Sequence, residues 1–204
     1  MLLARRPLLP VLALLLATPG IARAQATTPT APIAALNAAL KAGMQAGRAT
    51  PFATRAARLR PAVERAFNLP AILAASVGPR FASFPDQAKR DLLEAFTAFT
   101  VATWVGNFET DAGETFELEP QTRPSGTDQV VSTRIVPTTG DPTRLDYVMR
   151  RGPAGWQAVD ILLNGTISRV AVQRSDFRTL VAAGDPAPLL SNLRARTQRL
   201  TAAG

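Results

Sequence analysis

Along the first half of the chain apolar residues recur three and four positions apart, and beyond residue 115 they recur every second position. The first period belongs to helices that bury one side and the second to strands that bury one face. Pro32 suits the first position of a helix on which Ile33, Leu36, Leu40 and Met44 share a side. Thr50-Pro51 opens another, with Phe52, Ala56 and Leu59 at helical spacing; Pro61 is expected to interrupt or restart it before Val63 and Phe67 continue the stripe. Pro70 to Val77 predicts a short helix closed by Gly78. Ser83-Phe84-Pro85-Asp86 starts the longest helix, which runs to about Asn107. Leu92, Phe96, Phe99 and Thr103 line one side of it, and Leu93, Val101, Trp104 and Phe108 widen the apolar sector. A helix apolar over so much of its girth must be covered on more than one side.

Alternation then predicts about four strands: Phe116-Glu117-Leu118-Glu119, Gln129–Val136, Leu145–Arg150 and Trp156–Leu163. The links between them, Arg123-Pro124-Ser125-Gly126, Gly140-Asp141-Pro142 and Gly152-Pro153-Ala154-Gly155, are short and turn-rich, which favours an antiparallel meander. Ser175 can cap a helix through Ala183, with Gly184 after it. Asp185-Pro186 can start a last amphipathic helix carrying Leu189, Leu190, Leu193 and Leu200. Helices, then a curved antiparallel sheet, then helices closing over it make an α+β fold, and a sheet with one face toward helices leaves a concave apolar space.

The first 24 residues have the layout of a secretory signal, with Arg5 and Arg6, an apolar Leu8–Ala17 core and Ala22-Arg23-Ala24 as a small-x-small cleavage site. The apolar core is well short of the roughly 20 residues that span a bilayer. Residues 25–31, of Ala, Thr and Pro around Gln25, are expected to be a disordered leader, and 32–204 a single domain with room for a core. The whole chain has 23 basic and 15 acidic residues; loss of Arg5, Arg6 and Arg23 without any acid leaves +5. Such a charge draws a protein weakly to anionic headgroups. The basic residues are nearly all arginine, Lys41 and Lys89 being the lysines, and their scatter without interleaved aromatics argues against nucleic acid.

Chemistry is scarce. With no histidine and no cysteine, the usual nucleophile–base pairs, most zinc sites and any disulfide are excluded. Asp86, Asp91 and Glu94 fall on the exposed side of the long helix, and Asp111, Glu114, Glu117 and Glu119 are too sparse for a calcium loop. No metal, cofactor or catalytic residue is assigned. Two readings stay open at Tyr147 and Asp160, which lie on neighbouring strands. A tyrosine with a carboxylate can catalyse enolisation in a small cavity enzyme; alternatively Asp160 accepts hydrogen bonds from a nearby backbone turn or from Arg174 and fixes the sheet-to-helix junction. Asn164-Gly165 is a good turn pair that would shape the cavity rim.

From about Phe52 to Leu193 the chain resembles the MlaC/toluene-tolerance family of periplasmic lipid-binding proteins. The resemblance rests on Leu73 with Val77-Gly78, on Phe96 and Phe99, and on the Tyr147 strand. It continues through Trp156-Gln157-Ala158-Val159-Asp160-Ile161, Gly165 to Ser168, and Arg174 with Phe177. Gly113-Glu114-Thr115-Phe116 and the run from Gly165 to Ser175 look closer to the hopanoid-associated HpnM branch. Trp104 and Asn164 depart from it, standing where a tyrosine and an acidic residue are common. The resemblance implies a monomeric, non-enzymatic carrier that shuttles a hopanoid or phospholipid between inner and outer membranes, touching membranes and membrane-bound transport complexes only transiently. Candidate lining for the lipid is Leu73, Phe96, Phe99, Trp104 and Ile135, together with Tyr147, Val159, Ile161 and Ile167.

Overall fold

The computed structural model describes residues 28–203. The expected export signal and residues 25–27 of the expected leader lie outside the described residues, and the first helix already begins at Ala31. Helices α1 (Ala31–Ala46), α2 (Phe52–Ala66), α3 (Leu69–Val77) and α4 (Asp86–Asn107) come first, with a 3₁₀ turn at Pro79–Ser83 between α3 and α4. Six strands follow: β1 (Thr115–Leu118), β2 (Arg123–Ser125), β3 (Asp128–Val136), β4 (Thr143–Gly152), β5 (Gly155–Leu163) and β6 (Ile167–Ser168). Helices α5 (Arg169–Arg178) and α6 (Ala187–Ala203) end the described chain.

The sheet is an antiparallel meander in the order β1-β3-β4-β5-β6, with β2 on β3 beside β1. It has two short strands more than alternation predicts. β2 is carved out of the Arg123–Gly126 link, and β6 holds two residues against the end of β5; neither is long enough to show a period. Pairing sets Val131 opposite Tyr147, Thr133 opposite Leu145 and Tyr147 opposite Ile161, so these residues share the face turned to the helices. Val131, Thr133, Tyr147, Met149 and Ala158 on that face are at most 1% exposed.

Three sequence expectations change. Pro61 neither breaks nor restarts α2, which runs through it. The proline is exposed while Phe52, Leu59, Val63 and Ala66 are buried on the other side, so packing of that stripe outweighs one lost backbone bond. The helix after the sheet is capped by Ser168, not Ser175: Ser168 Oγ accepts from Ala171 N at 2.9 Å, and Ser175 falls inside α5. Within β5, Val148 pairs with Asp160 but Met149 with Ala158, which leaves Val159 as the extra residue of a β-bulge.

The helical layer is tied to the sheet at the α2–α3 elbow. Asn68 N donates to Ala158 O at 2.9 Å, and Gln157 Nε2 donates to Phe67 O at 3.2 Å. Asn68 also caps α3 by accepting from Ala71 N at 3.1 Å. The helix N-terminus is thus closed by the residue whose backbone is fixed on β5. On the opposite face of the sheet Asp146, 1% exposed, receives Arg144 through two bonds of 2.9 Å and Arg123 at 2.8 Å. That fully paired carboxylate satisfies the condition for burying a charge.

Candidate functional site

Between the helix-facing side of the sheet and α4 lies a cavity of about 310 Å³. Alternation along the strands supplies one wall, Ile135 from β3, Leu145 from β4, and Ile161 and Leu163 from β5. The elbow supplies Phe67, Leu69 and Ile72, α4 supplies Phe96 and Trp104 at helical spacing, and Phe108 follows as its C-cap. Thr100 and Thr103 also face the space, but their hydroxyls donate back to Phe96 O and Phe99 O, each at 2.8 Å. What they add to the surface is therefore mostly methyl. Arg169, Val170 and Gln173 at the start of α5, with Asn107 and Thr143, complete the lining.

Phe67 and Trp104 rings stack with centroids 5.8 Å apart, and Trp104 stacks on Phe108 at 5.7 Å and 14°. Trp104 and Phe108 also line a second, smaller cavity of about 160 Å³, whose other walls come from α1 and α2, including Leu40, Gly43 and Leu59. The stacked pair is a partition between two apolar spaces.

Of the residues selected from sequence, Phe96, Trp104, Ile135 and Ile161 meet in the larger cavity. The others do not line it. Leu73 and Tyr147 are shut in the core, at 0% and 1% exposure. The bulge takes Val159 out of phase with Ile161, Phe99 lies under Arg196 on the far side of Thr103, and Ile167 is 50% exposed on β6. Leu145 and Leu163 were legible from the same alternation as Ile161. Phe67, Leu69 and Ile72 carried no signal, since only the docking of the elbow on β5 points them inward.

Tyr147 and Asp160 do not form one site. Tyr147 pairs with Ile161 while Asp160 pairs with Val148 beside the bulge, and Tyr147 is shut in the core whereas Asp160 stands on the cavity wall. Burial pushes the Tyr147 phenol far up, a hydrogen bond with Thr133 offsetting it only in part. Asp160, on the cavity wall, is spoken for: Oδ1 accepts from Ile161 N at 2.8 Å and Val170 N at 3.1 Å, and Oδ2 from Ser168 Oγ at 2.5 Å. It pins the start of α5 to β5 through the backbone and Ser168. Arg174 is not its partner; that guanidinium lies over Gly78, where an added Cβ would come within 3.3 Å of it and where φ is +81°. Among the described residues no group of three carboxylate, histidine or cysteine side chains could hold a metal ion, and no helix is long and apolar enough to cross a membrane.

Residues 34–195 match the family described as MlaC protein. The fold is similar to that of a phospholipid-binding protein from Ralstonia solanacearum, solved in complex with a phospholipid, with a TM-score of 0.72 and 17% identity over 85% of this chain and 99% of that one. No curated protein matches the sequence.

Proposed function

Since the chain belongs to the MlaC family, we propose that it is a periplasmic carrier that moves a phospholipid or hopanoid between inner and outer membranes, holding the apolar part of the lipid in the cavity between sheet and α4. The observation that carries this reading is the 310 Å³ space itself, with apolar side chains from three strands and three helices around it. A packed interior normally leaves few voids larger than a water molecule, and a space of this size and character suits an apolar guest. Leaving an acyl chain of about 16 carbons in water costs roughly 12 kcal/mol at about 0.8 per methylene, and a dry wall that replaces the bilayer removes that cost. Phe96, Trp104, Ile135 and Ile161 are the contacts we assign to the chain. The structural neighbour that holds a phospholipid supports the ligand class, and the signal-like first 24 residues support export.

Native mass spectrometry of protein purified without detergent tests the proposal. Lipid should co-purify, and protein stripped of it should take lipid from vesicles. Protein that is repeatedly recovered empty and extracts nothing from vesicles would sink the carrier reading.

A further inference from the structure

Beside the cavity, and sharing Thr103 and Arg169 with it, opens a third hollow, of about 310 Å³, whose remaining walls are Phe99, Arg196, Arg199 and Leu200. Its lining joins the apolar Phe99 and Leu200 to three arginines. Arg196 and Arg199 are three apart on α6 and so project from neighbouring positions, while Arg169 comes from the first residue of α5. Arg196 is held over the Phe99 ring with its Cζ 4.8 Å from the centroid. Its one carboxylate neighbour, Asp176, is distant at 3.7 Å and half exposed. Arg169 and Arg199 pair with no carboxylate among the described residues. The other acid nearby, Asp160, has its oxygens occupied by Ile161 N, Val170 N and Ser168 Oγ.

Three like charges turned into one concave space repel one another, and an anion placed among them adds attractions that offset that repulsion. Guanidinium groups match the oxygens of a phosphate in bidentate geometry, which a neutral hydroxylated lipid cannot exploit. Adjacency to the cavity across Thr103 and Arg169 would set the apolar and anionic ends of one amphiphile next to each other. We infer that this hollow is the headgroup site of the carrier and that it selects a phosphodiester lipid of net negative charge. The inference rests on the carrier reading and names the ligand class within it.

Stripped protein is incubated with mixed vesicles holding equal phosphatidylglycerol and phosphatidylcholine, and the lipid on the recovered protein is identified by mass spectrometry. Wild type should enrich the anionic lipid on the order of tenfold, because both lipids offer a phosphodiester but only phosphatidylcholine brings a cation among the three arginines. Arg199→Glu and Arg169→Gln should each pull the ratio toward one, and Arg199→Lys should fall between wild type and Arg199→Glu, because the charge remains while the bidentate fork is lost. Equal recovery of both lipids by wild type, or an unchanged ratio in Arg199→Glu, overturns the headgroup assignment and leaves the carrier intact. Extraction of neither lipid takes away the carrier reading as well. Inorganic phosphate separates the two sources of the same chemistry: at millimolar concentration it should not bind measurably to lipid-free protein, and saturable binding abolished by Arg199→Glu would make the hollow a phosphate site and overturn its assignment to a lipid.

Discussion

Replacing Trp104 by alanine tests the partition between the two apolar spaces. The ring stacks on Phe67 and Phe108 and lines both cavities. Truncating a fully buried aromatic side chain costs about 3–5 kcal/mol, part of it from the void left behind, and Trp104 is only partly buried. Because both spaces already border the ring, some of its contacts are missing in the wild type, which sets the expectation near 3 kcal/mol. In a chain of this length each kcal/mol moves Tm by roughly 2–4 °C, so thermal unfolding followed by circular dichroism should show a fall of about 6–12 °C. Function should move the other way. With the partition gone, the spaces of about 310 and 160 Å³ become continuous. The variant should then load a larger share of two-chain over single-chain lipid, read by native mass spectrometry, and bound lipid should restore part of the lost Tm by linkage. A Tm within 2 °C of wild type, as a rough margin, would refute the packing argument. A loading ratio that stays put would refute the idea that the stack divides one apolar volume into two.

Asp160→Asn should lower stability by about 1–3 kcal/mol, since three donors lose a charged acceptor, while lipid extraction from vesicles persists. Loss of extraction at unchanged Tm would contradict its role as a pin between β5 and α5. For Asp146, burial pushes the carboxyl up, but hydrogen bonds from Arg144 and Ser132 and the charges of Arg144 and Arg123 outweigh it and hold the pKa below 3.8. A folded-state pKa that is depressed gives stability present in full above the unfolded value and lost as pH falls through the folded one. Tm should therefore decline below about pH 4, and Asp146→Asn, less stable at neutral pH, should lose that part of the decline; an identical acid limb in the variant would show that other groups cause it. Gly78→Ala should cost about 1 kcal/mol or more from its φ of +81°, with further loss from crowding Arg174, and urea titration should show a lower midpoint; an unchanged midpoint would mean the turn re-forms freely.

The elements that sequence made legible are those with enough residues to display a period. Helix α4, with apolar positions over most of its girth, and the long strands β3, β4 and β5 fall where alternation puts them. What escaped was settled by single residues in competition. Ser168 and Ser175 are equal candidates for a cap on local grounds, and Asp160, eight residues away, decides for Ser168 by accepting its hydroxyl. Ala158-Val159-Asp160-Ile161 reads as part of an uninterrupted apolar strand, yet pairing with Met149 and Val148 inserts a bulge that composition does not mark. The cavity was half visible for the same reason: strand phase identifies Ile161, whereas the inward turn of Phe67 and Ile72 depends on how the elbow docks on β5. Tyr147, with its polar tip, was a natural choice for the wall, but the helices close over it.

The two threonines of α4 that look into the cavity carry a consequence for tails of different kinds. Their hydroxyls are spent on the carbonyls of Phe96 and Phe99, so that stretch of wall offers hydrocarbon no fixed point of attachment. A guest there is gripped by dispersion forces alone, which are indifferent to where along its length they act. Against α4, a saturated chain, a kinked unsaturated one or one two carbons longer can each slide until the space is filled, and discrimination among them reduces to how much each can fit.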